Sequence, residues 1–133
     1  GCLFYAKSTK RFLFLNRQQK QKGTWGMVGG STHDTETPWQ GLQREIIEEI
    51  GFQPTISKTI PLELFVSKDT RFKFHTFVCV VDTEFVPKLN VEHSGYAWVS
   101  VNAWPLPLHE GVKKTLQNKQ IETKLQTILD LIV

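Results

Sequence analysis

Between Thr37 and Gly51 the chain specifies both ends of a helix, and that segment constrains the fold more than any other. Thr37 offers a hydroxyl at the N-cap, Pro38 suits the first helical position, and Gln40 stands where a capping box is completed. Gly51 takes the place where a left-handed residue stops a helix. An advance of about 100° per residue puts Trp39, Leu42, Ile46 and Ile50 on one buried stripe. Glu45, Glu48 and Glu49 then share a neighbouring face at i, i+3, i+4 spacing, where like charges cost an isolated helix roughly 0.2–0.5 kcal/mol per pair. Arg44 can pair with Glu48 one turn on, but one arginine does not neutralise three carboxylates.

The flanks alternate strands and turns. Residues 2–6 and 11–16 read as a hairpin around KSTK, and TWGMVGG as a strand ending in a tight turn at Gly29 and Gly30. After the helix, ISKTIPLELFVSK and RFKFHTFVCVVD form two strands about a turn at Ser67–Thr70. The loop EFVPKLNVEHSG leads to a strand YAWVSV. A final helix follows, with Val112, Leu116, Ile121, Leu125, Ile128, Leu129 and Ile132 as its apolar stripe. Strands interleaved with two main helices point to a mixed α/β sandwich. The 133 residues suit one domain, 1–133, with a core large enough to hold without disulfides.

Composition narrows the setting. The chain is 40% hydrophobic and 22% charged, with no apolar run near the ~18 residues that span a bilayer. The N-terminal segment lacks the pattern of a signal peptide, so a cytoplasmic location is expected. Cys2 and Cys79 have no metal-ligand spacing and read as buried thiols. The net charge of +3 is mild. Lys7, Lys10, Arg11, Arg17, Lys20 and Lys22 gather near the N-terminus, a patch that suits attraction of a phosphate-bearing ligand but does not argue for nucleic acid.

Three glutamates on a helix are commonly a solvated face, and the triplet alone reads that way. The surrounding pattern changes the reading. Gly30, Glu36, Arg44, Glu45, Ile46, Glu48, Glu49, Gly51 and Phe52 fill every fixed position of G-x5-E-x7-R-E-U-x-E-E-x-G-U, U being a bulky apolar residue. The segment closely resembles the Nudix box, and the order of elements around it is similar to Nudix domains over nearly the whole chain. Val28 stands where many relatives carry proline, and Phe52 is a less usual final apolar residue.

The resemblance implies an α/β/α sandwich with a mixed central sheet, the Nudix helix and a C-terminal packing helix. It also implies Mg²⁺- or Mn²⁺-dependent hydrolysis of a nucleoside diphosphate linked to a moiety X, by water attack on phosphorus, giving a nucleoside monophosphate and phospho-X. On the same footing Glu48 and Glu49 are metal ligands, and Glu45 is a further ligand or handles the water proton. The Gly29 carbonyl completes the site. Arg44 orients the glutamates, and Glu36 pairs with Arg44 or meets a metal through water. Glu92 and His93, before the last strand, are candidates for an extra ligand or general base. The expected partner is a small nucleotide, with no membrane; homodimerisation stays open. Two alternatives remain: attack at a sugar carbon with His93 as base, as in GDP-sugar hydrolases, and a Nudix-fold nucleotide-binding module without catalysis. His33, His75 and His109 are expected to be structural, and Trp25, Trp39, Trp98 and Trp104 to pack in the core, which leaves the base-binding residue open.

Overall fold

A computed structural model describes residues 1–132. Its strands are β1 (Cys2–Ala6), β2 (Arg11–Arg17), β3 (Trp25–Gly26), β4 (Lys58–Val66), β5 (Lys73–Val81) and β6 (His93–Ser100); its helices are α1 (Pro38–Ile50), α2 (Glu110–Gln117) and α3 (Lys119–Leu131). The six strands form one mixed sheet in the order β3-β2-β1-β5-β4, with β6 also on β2. Only β1 and β5 run parallel; every other named strand pair is antiparallel.

The sheet splits along β2, and this split positions the site. β6 covers one edge of β2 from Arg11 to Arg17. On the other edge β1 holds only Phe12 and Arg11, while β3 takes Leu15 and Asn16. The chain leaving β3 is tied back to β1 by the Cys2 N–H donating to the Val28 carbonyl at 2.6 Å. Gly29 and Gly30 therefore emerge at the head of β1. The strand expected over TWGMVGG is accordingly only two residues long, because three different neighbours share its backbone: β2, β1 and Leu108.

Alternation along the strands feeds two cores. Leu3, Tyr5, Phe12, Phe14, Leu62, Val78 and Val80 face α2 and α3, whereas Cys2, Phe4, Ala6, Leu13, Leu15, Cys79 and Val81 face α1. The result is an α/β/α sandwich. Helix α1 begins and ends as its residues dictate. Thr37 Oγ1 accepts from Gln40 N–H at 3.2 Å, Gln40 Oε1 accepts from Thr37 N–H at 3.0 Å, and Gly51 closes the helix at φ 88°. Leu42, Ile46 and Ile50 are buried and Trp39 is partly buried. Both cysteines are buried and free. β4 forms an edge, where Pro61 is tolerated beside a bulge. Among the described residues no helix is long and apolar enough to cross a membrane.

The expected single C-terminal helix is two helices. Asn118 ends α2 in an extended conformation and caps α3, its Oδ1 accepting from the N–H groups of Gln120 and Ile121. The five-residue step from Leu116 to Ile121 breaks helical periodicity at that point, and the Asn side chain competes locally for backbone donors. Replacing Asn118 with Ala is expected to cost about 1 kcal/mol and lower Tm by about 3–6 °C, while Asn118→Asp keeps most of the wild-type value; thermal denaturation of the three proteins checks this.

Candidate active site

Seating the apolar stripe of α1 decides what happens to its acids. Glu49 precedes Ile50 and lies one turn from Ile46, so it is carried into the helix–sheet seam and is only 2% exposed. Its Oε1 accepts from Gly29 N–H at 3.4 Å and lies 3.8 Å from His93 Nε2. Burial, and next the adjoining Glu45 carboxyl, push the Glu49 pKa up to about 9. The Glu48 side chain, by contrast, is 50% exposed.

Arg44 organises the rest. Its guanidinium takes Glu36 in a two-point grip, Nε to Oε2 at 2.9 Å and Nη2 to Oε1 at 3.1 Å. Nη1 reaches Glu45 Oε1 at 2.9 Å and leans on Glu48 Oε1 at 3.4 Å, and Nη2 also donates to the Ser31 carbonyl at 2.9 Å. The Arg44 bonds, with a further one from His33 N–H, hold the Glu36 pKa down to about 2. Glu36 is thus Arg44's anchor. The i,i+4 pairing of Arg44 with Glu48 is present but is the loosest of these contacts.

At Gly29 the backbone of Gly1 leaves no room for a side chain, and at Gly30 a side chain would displace the Glu45 carboxyl. A Cβ on Gly30 would sit 2.6 Å from Glu45 Cδ, and one on Gly29, at φ 153°, would sit 2.7 Å from Gly1 Cα. Opposite, Asn90 Nδ2 donates to the Glu48 carbonyl at 3.0 Å and Asn90 Oδ1 accepts from Glu92 N–H at 3.0 Å. That tether brings the loop's Glu92 close enough for its charge to add to the raised pKa of Glu49. No local pattern marks Asn90, whose partner lies 42 residues away.

His93 is buried beside Glu49, its Nδ1 without a hydrogen-bond partner, and burial followed by the charge of Arg17 lowers its pKa to about 4. The structure therefore brings Gly29, Arg44, Glu45, Glu49, Glu92 and His93 together, with Glu36 behind Arg44 and Glu48 on the open side. The other histidines lie outside this group. His109 caps α2 by accepting from Gly111 N–H, His75 stacks on Phe77, and His33 is exposed.

Among the described residues no three acidic, histidine or cysteine side chains converge as ligands around one point. Arg44 draws Glu45 aside, and Glu48 faces solvent. The donor chemistry nevertheless fits a hard divalent cation: carboxylate oxygens from Glu45, Glu48 and Glu49, and the backbone oxygen of Gly29, at one end of a rigid helix. Glu49 is the pointed observation. It is a desolvated carboxyl pressed against a second one, and the nearby arginine makes its bonds to Glu36, Glu45, Glu48 and Ser31 instead.

Comparison with known proteins identifies the family. A profile of the NUDIX domain matches residues 1–119. The dihydroneopterin triphosphate diphosphatase of Haemophilus influenzae is 33% identical over 113 residues, covering 74% of this chain and 70% of that protein. The nucleoside triphosphatase NudI of Escherichia coli is 32% identical over 111 residues, covering 73% and 77%. Among solved structures, the Nudix hydrolase RenU of M. smegmatis superposes with a TM-score of 0.74 at 24% identity, over 94% of this chain and 84% of that one. The profile match, the relatives and the shared fold together place this chain in the Nudix hydrolase family.

Proposed function

We propose that the protein hydrolyses a nucleoside diphosphate linked to a moiety X, with Mg²⁺ or Mn²⁺ as cofactor, by attack of water on phosphorus to give a nucleoside monophosphate and phospho-X. The single observation that carries this reading is the buried Glu49 carboxyl beside Glu45 at the Gly29 turn. The relatives' names lend support, since a nucleoside triphosphate is the case in which X is itself phosphate.

In this reading Glu48, Glu49 and the Gly29 carbonyl would hold the cation. When bound, it supplies neutralisation of diphosphate charge and acidification of the attacking water. The protein's own groups do the remainder. A water oxygen forms the new P–O bond as the bridging P–O bond breaks, and the leaving phosphate takes the electron pair. Glu45 would accept the water proton or, where it joins the ligands, leave that proton to the carboxylate of Glu92 on the facing loop. Arg44, fixed by Glu36, sets the position of Glu45 and Glu48. His93 is buried behind Glu49, with its ring against that carboxylate rather than open to a sugar. This placement favours support of Glu49 over service as base at a sugar carbon. Heavy-oxygen water separates the two, because attack at phosphorus puts the label in a phosphate product.

Glu49→Gln is expected nearly to abolish turnover on any accepted substrate while leaving the melting temperature in EDTA close to wild type, because the amide replaces a carboxyl that is already neutral there. Near-wild-type activity would sink the assignment. For the wild-type protein, Mg²⁺ at about 100 times its Kd is expected to add about 2.7 kcal/mol of stability, seen as a rise in Tm that Glu49→Gln largely loses. Arg44→Lys keeps the charge but loses the two-point grip, and is expected to reduce kcat/KM by about 10- to 100-fold. A panel of nucleoside triphosphates, dinucleotides and nucleoside diphosphate derivatives provides the assays; binding of one without cleavage of any would instead identify a non-catalytic module.

A further inference from the structure

Residues 82–92 join β5 to β6 without helix or strand, yet they deliver Glu92 and His93 to the acid site. A segment of this kind is placed by whatever its backbone and side chains bond to outside it. Leu89 packs on the α1 core, and the Lys88 N–H donates to the Ile50 carbonyl at 2.7 Å, so the loop lies against the last turn of α1. Val91, next to Glu92, is 79% exposed and anchors nothing. The hold on Glu92 therefore falls to Asn90.

Asn90 makes three bonds. Its Nδ2 donates to the Glu48 carbonyl at 3.0 Å, its Oδ1 accepts from the Glu92 N–H at 3.0 Å, and its main-chain carbonyl accepts from the His93 N–H at 3.3 Å. The last two are short-range and shape the turn that ends the loop. The first reaches across the fold. The Glu48 carbonyl belongs to the peptide unit that joins Glu48 to Glu49, and it is one of the carbonyls that a helix leaves open at its C-terminal end. From the opposite side the Glu92 carbonyl accepts from the Gln18 N–H at 2.8 Å, just past the end of β2. The backbone of Glu92 is thus held at both of its polar groups, while the residue itself stays exposed. A carboxylate carried on a fixed backbone is already oriented when a substrate arrives.

We infer that Asn90 is a positioning residue, which sets the distance of the Glu92 carboxylate from the peptide unit bearing Glu48 and Glu49 and acts on the reaction through Glu92. A cap for α1 alone needs only the Nδ2 bond, and a turn alone needs only Oδ1. Asn90 makes both with one side chain, since an amide carries its donor and its acceptor on separate atoms. The inference rests on the hydrolase reading, in the form where Glu92 takes the water proton.

The test is a cycle of Asn90→Ala, Glu92→Gln and the double variant, with Asn90→Asp alongside, on whichever substrate the wild type cleaves. Asn90→Ala is expected to lower kcat by about 10- to 100-fold with KM little changed. If Asn90 acts through Glu92, the double variant is slower than Glu92→Gln alone by no more than about twofold. Asn90→Asp keeps the acceptor for Glu92 but turns an oxygen toward the Glu48 carbonyl, and is expected to lose at least as much kcat as Asn90→Ala. A wild-type kcat in Asn90→Ala or in Glu92→Gln overturns the inference. So does the same fold-loss from Asn90→Ala in both backgrounds, which is the mark of a structural role, and so does recovery of activity in Asn90→Asp, which would make the bond to α1 irrelevant. Hydrogen exchange of the Glu92 and His93 amides supplies a readout that needs no turnover, with Glu92 expected to exchange about 3- to 10-fold faster in Asn90→Ala. Failure of the wild type to cleave any substrate removes the hydrolase reading instead, and unchanged exchange at Glu92 then overturns the hold of Asn90 as well.

Discussion

The structure depends on the packing of one helix stripe. Leu42, Ile46 and Ile50 meet Phe4, Leu13 and Leu15 across the α1–sheet seam, and Glu49 lies too near that stripe to stay in water. Magnitudes show which effect wins. Burying three aliphatic side chains contributes about 5–9 kcal/mol. Keeping a carboxyl of ordinary pKa 4.5 protonated at pH 7 costs roughly 3 kcal/mol. Hydrophobic packing therefore holds Glu49 in a position that electrostatics alone would reject. A poised acid is in this sense a by-product of where the helix has to sit.

Arg44 completes that arrangement by what it does not reach. Its six hydrogen bonds run to Glu36, Glu45, Glu48 and the Ser31 carbonyl, while Glu49 is left to Gly29 and His93. Glu36 precedes the helix, so its grip on the guanidinium also fixes how the loop enters α1 next to the Thr37 cap. Gly30 allows the same loop to lie on Glu45. Charge, cap and backbone approach thus act on one short stretch, and moving any one of them displaces the carboxylates.

What the sequence disclosed follows from the range of the interactions. The ends of α1 were legible because Thr37, Gln40 and Gly51 bond within one turn of themselves, and the β4–β5 turn because Ser67 pairs with Phe72 nearby. The break at Asn118 shows in the sequence only as the five-residue step from Leu116 to Ile121, inside an apolar series that continues on both sides of it. The shortness of β3 was not legible, because it is set by β1, β2 and Leu108 at once. At the site, the box residues carried the acids and Arg44, but pairing by helical spacing favoured Glu48. The stronger partner, Glu36, approaches from the preceding loop. The burial of His93 and the tether at Asn90 arise from contacts with α1 more than 40 residues away, which no local pattern encodes. Phe52, an unusual final box residue, takes an edge-on contact with Phe85 5.4 Å away, so its bulk is absorbed by the loop after β5.

A carboxyl used to hold a cation gains from a dry seam, because fixed charges act more strongly where solvent is excluded. Val28, fully buried in the core on the α1 side, ties the segment after β3 to β1 through its carbonyl, which accepts from the Cys2 N–H, and so fixes where the chain turns at Gly29 toward that seam.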